Sequence, residues 1–232
     1  MILFKAVNYI YHALLDFIYP PYCSFCQSSL SDGKYLVCDA CWDNLPFFPK
    51  RHDILIELEE NLNGESYLSG ANAVWEFKKN IQFIIHQLKY EHHTCLANKI
   101  GYYMANLLRE ENCLDCVSLI IPVPLHKKRI RKRGYNQSEL IGETISQIVH
   151  VPINTTSLQR VKNTISQTKL DRHQRTQNVA DAFNVIKKEE IEGKKIVLID
   201  DVITTGSTIN ACARELKQNG AEEVFALSAV KA

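Results

Sequence analysis

The stretch from Val197 to Thr208 constrains the fold of this chain more than any other part of the sequence. It begins as a buried apolar strand that ends at two adjacent acidic residues, Asp200 and Asp201. It then passes through a Thr- and Gly-containing turn into a helix. In open α/β sheets, ligands bind beyond the carboxyl ends of the strands. The stretch therefore predicts an α/β fold with a ligand site directly after this strand.

The residues after this strand have the chemistry of a site for a phosphorylated sugar. Residues 204–208 offer hydroxyls, backbone N–H groups and a helix N-terminus, which together can hold a phosphate. The two carboxylates before them are placed to accept hydrogen bonds from vicinal hydroxyls of the same sugar. An acidic strand end before an ordinary capped helix is the simpler alternative. A Walker-type nucleotide loop is excluded, because the sequence contains no Gly-Lys-Ser/Thr.

Strands and helices alternate along the chain from about residue 67 onward. Apolar runs and helical periodicity predict strands at 71–77, 117–123, 195–199 and 222–230, an extended segment at 155–160, and helices at 80–91, 94–110, 137–149 and 207–219. This alternation is typical of a mostly parallel sheet with helices on both faces. Residues 3–18 predict a further, amphipathic helix, which we expect to pack on its own domain rather than on a membrane.

The N-terminal region contains the cysteine pattern C-x2-C-x11-C-x2-C, formed by Cys23, Cys26, Cys38 and Cys41. Each C-x2-C pair can bend into a tight turn, and the spacer allows the second pair to return to the first. Four thiolates complete a tetrahedral shell around Zn²⁺ and leave no position open for a substrate, so the predicted role is structural. Iron is an alternative occupant of such a shell. Cys113 and Cys116 form a further C-x2-C, which we interpret as small residues at a helix–strand junction.

Positive charge is concentrated in one part of the chain. The whole sequence has a net charge of +1, whereas residues 119–178 contain eleven Lys and Arg against three Asp and Glu, a net +8. The densest run places six cations in seven positions: Lys127, Lys128, Arg129, Arg131, Lys132 and Arg133. This run is interpreted in three ways: a solvated surface, counter-charge for a pyrophosphate, or a track for the phosphates of single-stranded nucleic acid. The near-neutral total argues against a uniformly basic nucleic-acid binder.

The stretch 197–208 resembles the loop of type I phosphoribosyltransferases that binds 5-phosphoribosyl 1-pyrophosphate (PRPP). Together with the cysteine segment, it makes the whole chain similar to the ComF (competence protein F) family. Further family-like stretches are Ile121–Pro124 and Arg133–Gln137. The resemblance implies an N-terminal helix and zinc ribbon at 1–50, and at 51–232 an α/β domain like a type I phosphoribosyltransferase, with a mostly parallel sheet.

The resemblance also implies roles for individual residues. Asp200 and Asp201 would hold the ribose hydroxyls of PRPP, and its 5′-phosphate would be bound by Thr204, Thr205, Gly206, Ser207 and Thr208. The pyrophosphate, with Mg²⁺, would face Pro124, Lys127 and Arg133.

Two further features follow from the comparison with this family. Segment 160–178, with the family-like positions Arg160, Gln167 and Arg175, is expected to form a lid over the site. Thr204 stands where several purine-specific relatives carry an acid, which argues against purine salvage.

The family resemblance implies a PRPP-binding protein that acts in natural transformation, with single-stranded DNA and the DNA-uptake machinery as partners. Two alternatives stay open: a non-catalytic nucleic-acid-binding or PRPP-sensing module, and a base-salvage phosphoribosyltransferase unrelated to competence. No residue identifies an acceptor base, so the sequence leaves turnover undecided. The absence of a secretory signal and of a run of about 18 apolar residues leads us to expect a cytoplasmic protein without a membrane span.

Overall fold

A computed structural model describes residues 21–30, 36–49, 54–110, 117–162 and 181–232. The chain divides into two compact units, residues 1–46 and 47–232. The domain boundary that we predicted between residues 50 and 51 falls outside the described residues. The same is true of the predicted helix at 3–18, of Cys113 and Cys116, and of the lid residues Gln167 and Arg175.

The predicted helices and strands of residues 71–230 all occur in the structure and in the predicted order, together with elements that the pattern did not predict. In the first unit, the described residues contain the short helix α1 (Asp39–Asp43). The helices of the second unit are α2 (Ile54–Asn61), α3 (Lys79–Tyr90), α4 (Leu96–Glu110), α5 (Lys127–Arg133), α6 (Gln137–Val149) and α7 (Ser207–Gln218). Its strands are β1 (Gly70–Glu76), β2 (Leu119–Pro122), β3 (Leu158–Arg160), β4 (Phe183–Val185), β5 (Lys195–Ile203) and β6 (Glu223–Lys231).

A parallel sheet of four strands, in the order β1-β6-β5-β2, forms the centre of the second unit. Strands β3 and β4 form a separate antiparallel pair. On one face of the sheet, Leu198 belongs to a core cluster that includes Leu58 of α2 and Leu216 of α7. On the other face, Val197 and Leu108 of α4 line one small cavity. The predicted fold class, a mostly parallel sheet with helices on both faces, is therefore confirmed.

Strand β5 is longer than the sequence predicts. The apolar run predicted a strand that ends at the two acids, but β5 continues to Ile203, so this prediction is wrong. The reason is a partner strand, because β6 pairs with β5 as far as Ile203. On the other side of β5, the ladder with β2 stops where Pro122 lies opposite Ile199. Among the described residues, the edge of β5 that faces β2 therefore has no strand partner from Asp200 onward.

Helices α2 and α5 had no counterpart in the sequence analysis. Helix α2 buries only Ile54 and Leu58, which is too short a pattern to recognise. Helix α5 has no buried residue, so it lacks the apolar periodicity on which such predictions depend. Within the described ranges, no helix combines the length and the apolar character that a membrane crossing requires.

Candidate functional site

The four cysteines of the first unit lie together. Their Sγ atoms all lie within 4.8 Å of one another, and those of Cys26 and Cys38 are 3.6 Å apart. A tetrahedral site with Zn–S bonds of about 2.3 Å places its sulfur atoms roughly 3.8 Å apart. The cluster therefore fits a structural zinc ion with four thiolate ligands.

Backbone hydrogen bonds bring these cysteines to their positions. The first pair lies in a turn closed by a bond from the Gln27 N–H to the Cys23 carbonyl, at 3.0 Å. The second pair spans the start of α1, where the Cys41 N–H donates to the Cys38 carbonyl at 3.0 Å. The Cys38 N–H also donates to Sγ of Cys23 at 3.4 Å, which joins the two pairs. The spacing read from the sequence thus corresponds to two turns that face one another.

The second unit contains a cavity of about 320 Å³ at the open edge of the sheet. Five of the seven residues predicted to bind PRPP line it: Asp200, Asp201, Thr204, Gly206 and Thr208. The other two lie beside it: Thr205 is half-buried and Ser207 is buried, and their hydroxyls form a hydrogen bond of 2.9 Å. The turn therefore exposes alternate residues to the cavity.

The two acids make different contacts within this cavity. Asp201 is buried, with 3% exposure; its Oδ2 forms an ion pair with Lys89, and its Oδ1 accepts a hydrogen bond from the Gln137 amide at 3.2 Å. Asp200 is half-buried. Its Oδ1 accepts hydrogen bonds from the Ser138 hydroxyl at 3.1 Å and from the Asp201 N–H at 2.9 Å. Asp201 is thus tied to neighbouring side chains more completely than Asp200.

Burial and charge separate the pKa values of the two acids. Burial, and then the neighbouring carboxylate of Asp201, raise the pKa of Asp200 from 3.8 to about 7. Burial acts on Asp201 in the same direction, but the ammonium of Lys89 outweighs it and lowers the pKa of Asp201. Asp201 is therefore the acid of the pair that carries the negative charge, and Asp200 is the one that binds a proton more readily.

The turn between β5 and α7 requires a glycine at position 206. Gly206 has a φ of 81°, in the left-handed region, and directly precedes α7. A Cβ atom at this position would lie 2.7 Å from Cδ2 of Leu58, so both the backbone and the packing require glycine. The N-terminus of α7 follows directly, and the dipole of a helix favours an anion at this end.

Cationic side chains form another part of the cavity wall. Arg129 and Arg133 are four residues apart on α5, so they share one face of the helix, and both line the cavity with Arg160. The guanidinium of Arg133 lies 5.3 Å from the ring centroid of Tyr90. Burial, followed by repulsion from Arg133, lowers the pKa of Arg129, and burial followed by repulsion from Arg129 lowers that of Arg160. Three cations held this close together favour a bound anion.

The remaining cations of the predicted basic run face elsewhere. They are exposed and do not line the cavity: Lys127, Lys128, Arg131 and Lys132. Pro124, predicted on the pyrophosphate side, also lies outside the cavity lining, although its neighbours Val123 and Leu125 belong to it. Helix α5 therefore divides the run into a cavity face and a solvent face, and the nucleic-acid role of the run stays a prediction.

Sequence reasoning missed three polar residues that contact the acids. Gln137 and Ser138 lie at the start of α6, and the family-like stretch Arg133–Gln137 was a signal for the first of them. Lys89 gave no signal, because the periodicity of α3 identified only its buried face, which ends at Leu88. A hydrogen bond from the Tyr135 hydroxyl to the Leu88 carbonyl places Lys89 beside the acids.

Comparison with known proteins agrees with this architecture. Residues 14–52 match the family described as the double zinc ribbon domain, and residues 116–231, half of the chain, match the phosphoribosyl transferase domain family. Competence protein F of Haemophilus influenzae is 28% identical over 213 residues, which cover 87% of this chain and 93% of that protein. DNA utilization protein YhgH of Shigella flexneri is 33% identical over 155 residues, 66% of this chain and 67% of that protein. The chain belongs to the competence protein F family.

The family membership confirms the resemblance seen in the sequence, including the zinc ribbon that precedes a phosphoribosyltransferase domain. Among solved structures, the glutamine PRPP amidotransferase of B. subtilis, complexed with ADP and GMP, has a TM-score of 0.37 and 19% identity to this chain. The match covers 57% of this chain and 26% of that one. A likeness of this size adds nothing to the assignment of function.

Proposed function

We propose that this member of the competence protein F family binds PRPP in the cavity of the second unit. One observation carries the proposal: the Asp200–Asp201 pair, the glycine turn before α7 and the guanidinium groups of α5 and β3 meet in the same cavity. PRPP needs these three kinds of partner, because it presents ribose hydroxyls, a 5′-phosphate and a pyrophosphate. The zinc ribbon has a separate, structural role, since four thiolates leave the metal no open position.

The proposal assigns the parts of PRPP to different walls of the cavity. The acids receive the ribose hydroxyls, Gly206 and Thr208 meet the 5′-phosphate, and Arg129 and Arg133 meet the pyrophosphate. Mg²⁺ would enter with PRPP, because phosphate oxygens are its preferred ligands, and it would reduce the charge of the leaving pyrophosphate. The side chains would then contribute positioning and charge neutralisation to any reaction at C1 of the ribose.

Calorimetric titration of PRPP with Mg²⁺ tests the assignment of the acids. We expect Asp200→Ala/Asp201→Ala to weaken binding by at least about tenfold, because the hydroxyls lose their acceptors. Asp181→Ala is the matched control, since this acid is 77% exposed and lies outside the cavity. Equal binding by the wild type and the double variant would sink the assignment.

Release of pyrophosphate from PRPP distinguishes a transferase from a PRPP-sensing module. The assay would cover a panel of nucleobases and single-stranded DNA as acceptors. Release that depends on an acceptor supports a transferase, and a base as acceptor without any effect of DNA supports salvage. Binding without release supports the sensing role.

We further propose that the protein acts in natural transformation, by handling single-stranded DNA that enters the cytoplasm. Support comes from the names of its relatives, competence protein F and DNA utilization protein. The solvent face of α5, formed by Lys127, Lys128, Arg131 and Lys132, adds a physical basis for contact with DNA. A compact row of cations can follow the phosphates of a flexible single strand.

Salt-dependent binding of single-stranded DNA tests this proposal. Each lost phosphate contact reduces the slope of log K against log salt by about 0.7, so Lys127→Gln/Lys128→Gln should reduce it by about 1.4. Lys188→Gln/Lys194→Gln is the control, because it removes the same charge at exposed positions outside α5. If both variants keep the wild-type slope, this face of α5 does not bind the DNA backbone.

A further inference from the structure

The two acids of the cavity have different neighbours. The carboxylate of Asp201 contacts a side chain through each oxygen, Lys89 at Oδ2 and Gln137 at Oδ1. The Oδ1 atom of Asp200 accepts hydrogen bonds from Ser138 and from the Asp201 N–H, and the Asp200 carboxyl group also lies within hydrogen-bonding reach of the Asp201 carboxyl group. Asp201 is almost fully enclosed, whereas Asp200 retains exposure at the cavity wall.

The backbone at Lys89 is fixed by the burial of Leu88 and by a hydrogen bond to the Leu88 carbonyl. Lys89 lies in the last turn of α3, next to Leu88, which is fully buried. The Tyr135 hydroxyl donates to the carbonyl of Leu88 and so links this turn to the segment that leads into α6. The side chain of Lys89 is 21% exposed, and its ammonium reaches Asp201 from the same side as the cavity.

We propose that Lys89 is a positioning residue that holds Asp201 as a carboxylate beside Asp200, so that the two acids can receive the ligand's hydroxyls together. The proposal deepens the assignment of PRPP to this cavity and rests on it. The two acids then differ in how they are held: Lys89 and Gln137 fix Asp201, whereas Asp200 lies half-buried at the cavity wall.

Among the charged groups around the two acids, Lys89 has the largest effect on their protonation. Titratable groups approach the acids or line the cavity from every neighbouring element: His86, Lys89 and Tyr90 from α3, Arg129 and Arg133 from α5, Arg160 from β3 and Cys212 from α7. Of these, Lys89 forms the ion pair with Asp201. Its positive charge lowers the pKa of each acid more than any other charge does. Two adjacent carboxylates in a buried position repel each other, so without this ammonium the pair would retain a proton at higher pH.

The loss of Lys89 should therefore change the pH dependence of binding as well as its strength. In the wild type, PRPP should bind more weakly as the pH falls through about 7, where Asp200 takes up a proton. In Lys89→Met, the midpoint should move upward by about one pH unit, and binding at pH 7 should weaken by about fivefold because the ionised fraction of the acid falls. Lys89→Arg keeps the positive charge and should stay within about threefold of the wild type. Asp200→Asn removes this midpoint and leaves only the titration of PRPP itself.

A double-mutant cycle separates positioning from direct contact between Lys89 and a phosphate. A neutral Asn at position 201 needs no cation, so Lys89→Met should have little further effect in the Asp201→Asn background. If the loss in that background is as large as in the wild type and is equal at every pH, Lys89 contacts the ligand directly and the proposal is wrong. Tighter binding by Lys89→Met would show that Lys89 competes with the ligand, which also overturns it. Lys188→Met, an exposed lysine outside the cavity, is the matched control.

The carboxyl groups can also be followed without any ligand. Carbon-13 NMR titration of labelled aspartate side chains should show a higher pKa for the acid pair in Lys89→Met than in the wild type. An unchanged titration would refute the role of Lys89 whatever the ligand is. A wild type that binds no PRPP would instead refute the proposed function, and with it the ligand role of Asp200, while the titration still decides what Lys89 does.

Discussion

The Asp200→Asn variant should gain stability relative to the wild type as the pH rises toward neutrality. Burial and the neighbouring Asp201 raise the pKa of Asp200 from 3.8 to about 7. The folded protein therefore keeps a proton that the unfolded chain has already released between these two values. Because the unfolded state binds fewer protons than the folded state in this window, the wild type loses stability as the pH rises from about 4 to about 7. An asparagine does not titrate, and its side-chain carbonyl oxygen can still accept the hydrogen bond from the Ser138 hydroxyl.

The magnitude follows from the difference between the two pKa values. About three units, at about 1.4 kcal/mol each, correspond to roughly 4 kcal/mol when the group is fully ionised in both states. Between pH 5 and pH 8, the advantage of Asp200→Asn should grow by about 2–3 kcal/mol, and most of this growth should occur below pH 7. This change is large compared with the total stability of a typical domain.

Urea unfolding followed by tryptophan fluorescence measures this difference. The chain has two tryptophans, and Trp75 is fully buried in the second unit. In a Trp42→Phe background, the fluorescence therefore reports on that unit alone. Asp181→Asn makes the same chemical change at a carboxyl that is 77% exposed, so it serves as the control. A difference between Asp200→Asn and the wild type that stays constant from pH 5 to pH 8 would refute the reasoning.

Three further perturbations have defined outcomes. Cys23→Ser should abolish binding of one zinc ion per chain in metal analysis and should unfold the first unit, whereas Cys95→Ser should retain zinc. Gly206→Ala should lose roughly 1–3 kcal/mol more stability than Gly193→Ala. Both glycines have a positive φ, but only a Cβ atom at position 206 would contact Leu58, at 2.7 Å. Equal losses of stability in the two variants would contradict this reasoning. Arg129→Met should weaken binding of inorganic pyrophosphate by about tenfold, and Arg131→Met on the solvent face should leave it unchanged; calorimetry compares the two.

Local spacing made the zinc cluster predictable. A C-x2-C pair lies in a turn closed by short-range hydrogen bonds, such as that from the Gln27 N–H to the Cys23 carbonyl. Two such pairs need only a flexible spacer to converge. The structure therefore added distances to this prediction but no new ligands.

The length of β5 illustrates what local sequence could not provide. The acids interrupt the apolar pattern, and the pattern alone placed the end of the strand there. Pairing with β6 extends the strand to Ile203, because a parallel neighbour supplies hydrogen bonds that are independent of side-chain polarity. The early end of β2 is what opens the edge next to Asp200.

The sequence by itself determined the alternating α/β order, the four thiol ligands and the acids and glycine turn of the candidate PRPP site. Each of these depends on residues that are close together in the chain, where spacing and turn chemistry act directly. Only the tertiary structure decided that Lys89 pairs with Asp201 and that Arg129 and Arg133 turn toward the cavity. These features depend on the packing of α3 and α5 around the sheet edge, and the resulting burial and charge set the pKa values of the two acids. The positive charge that lowers the pKa of Asp201 comes from Lys89, far away in the chain. The two neighbouring acids therefore look alike in the sequence, and only the folded structure gives them different pKa values.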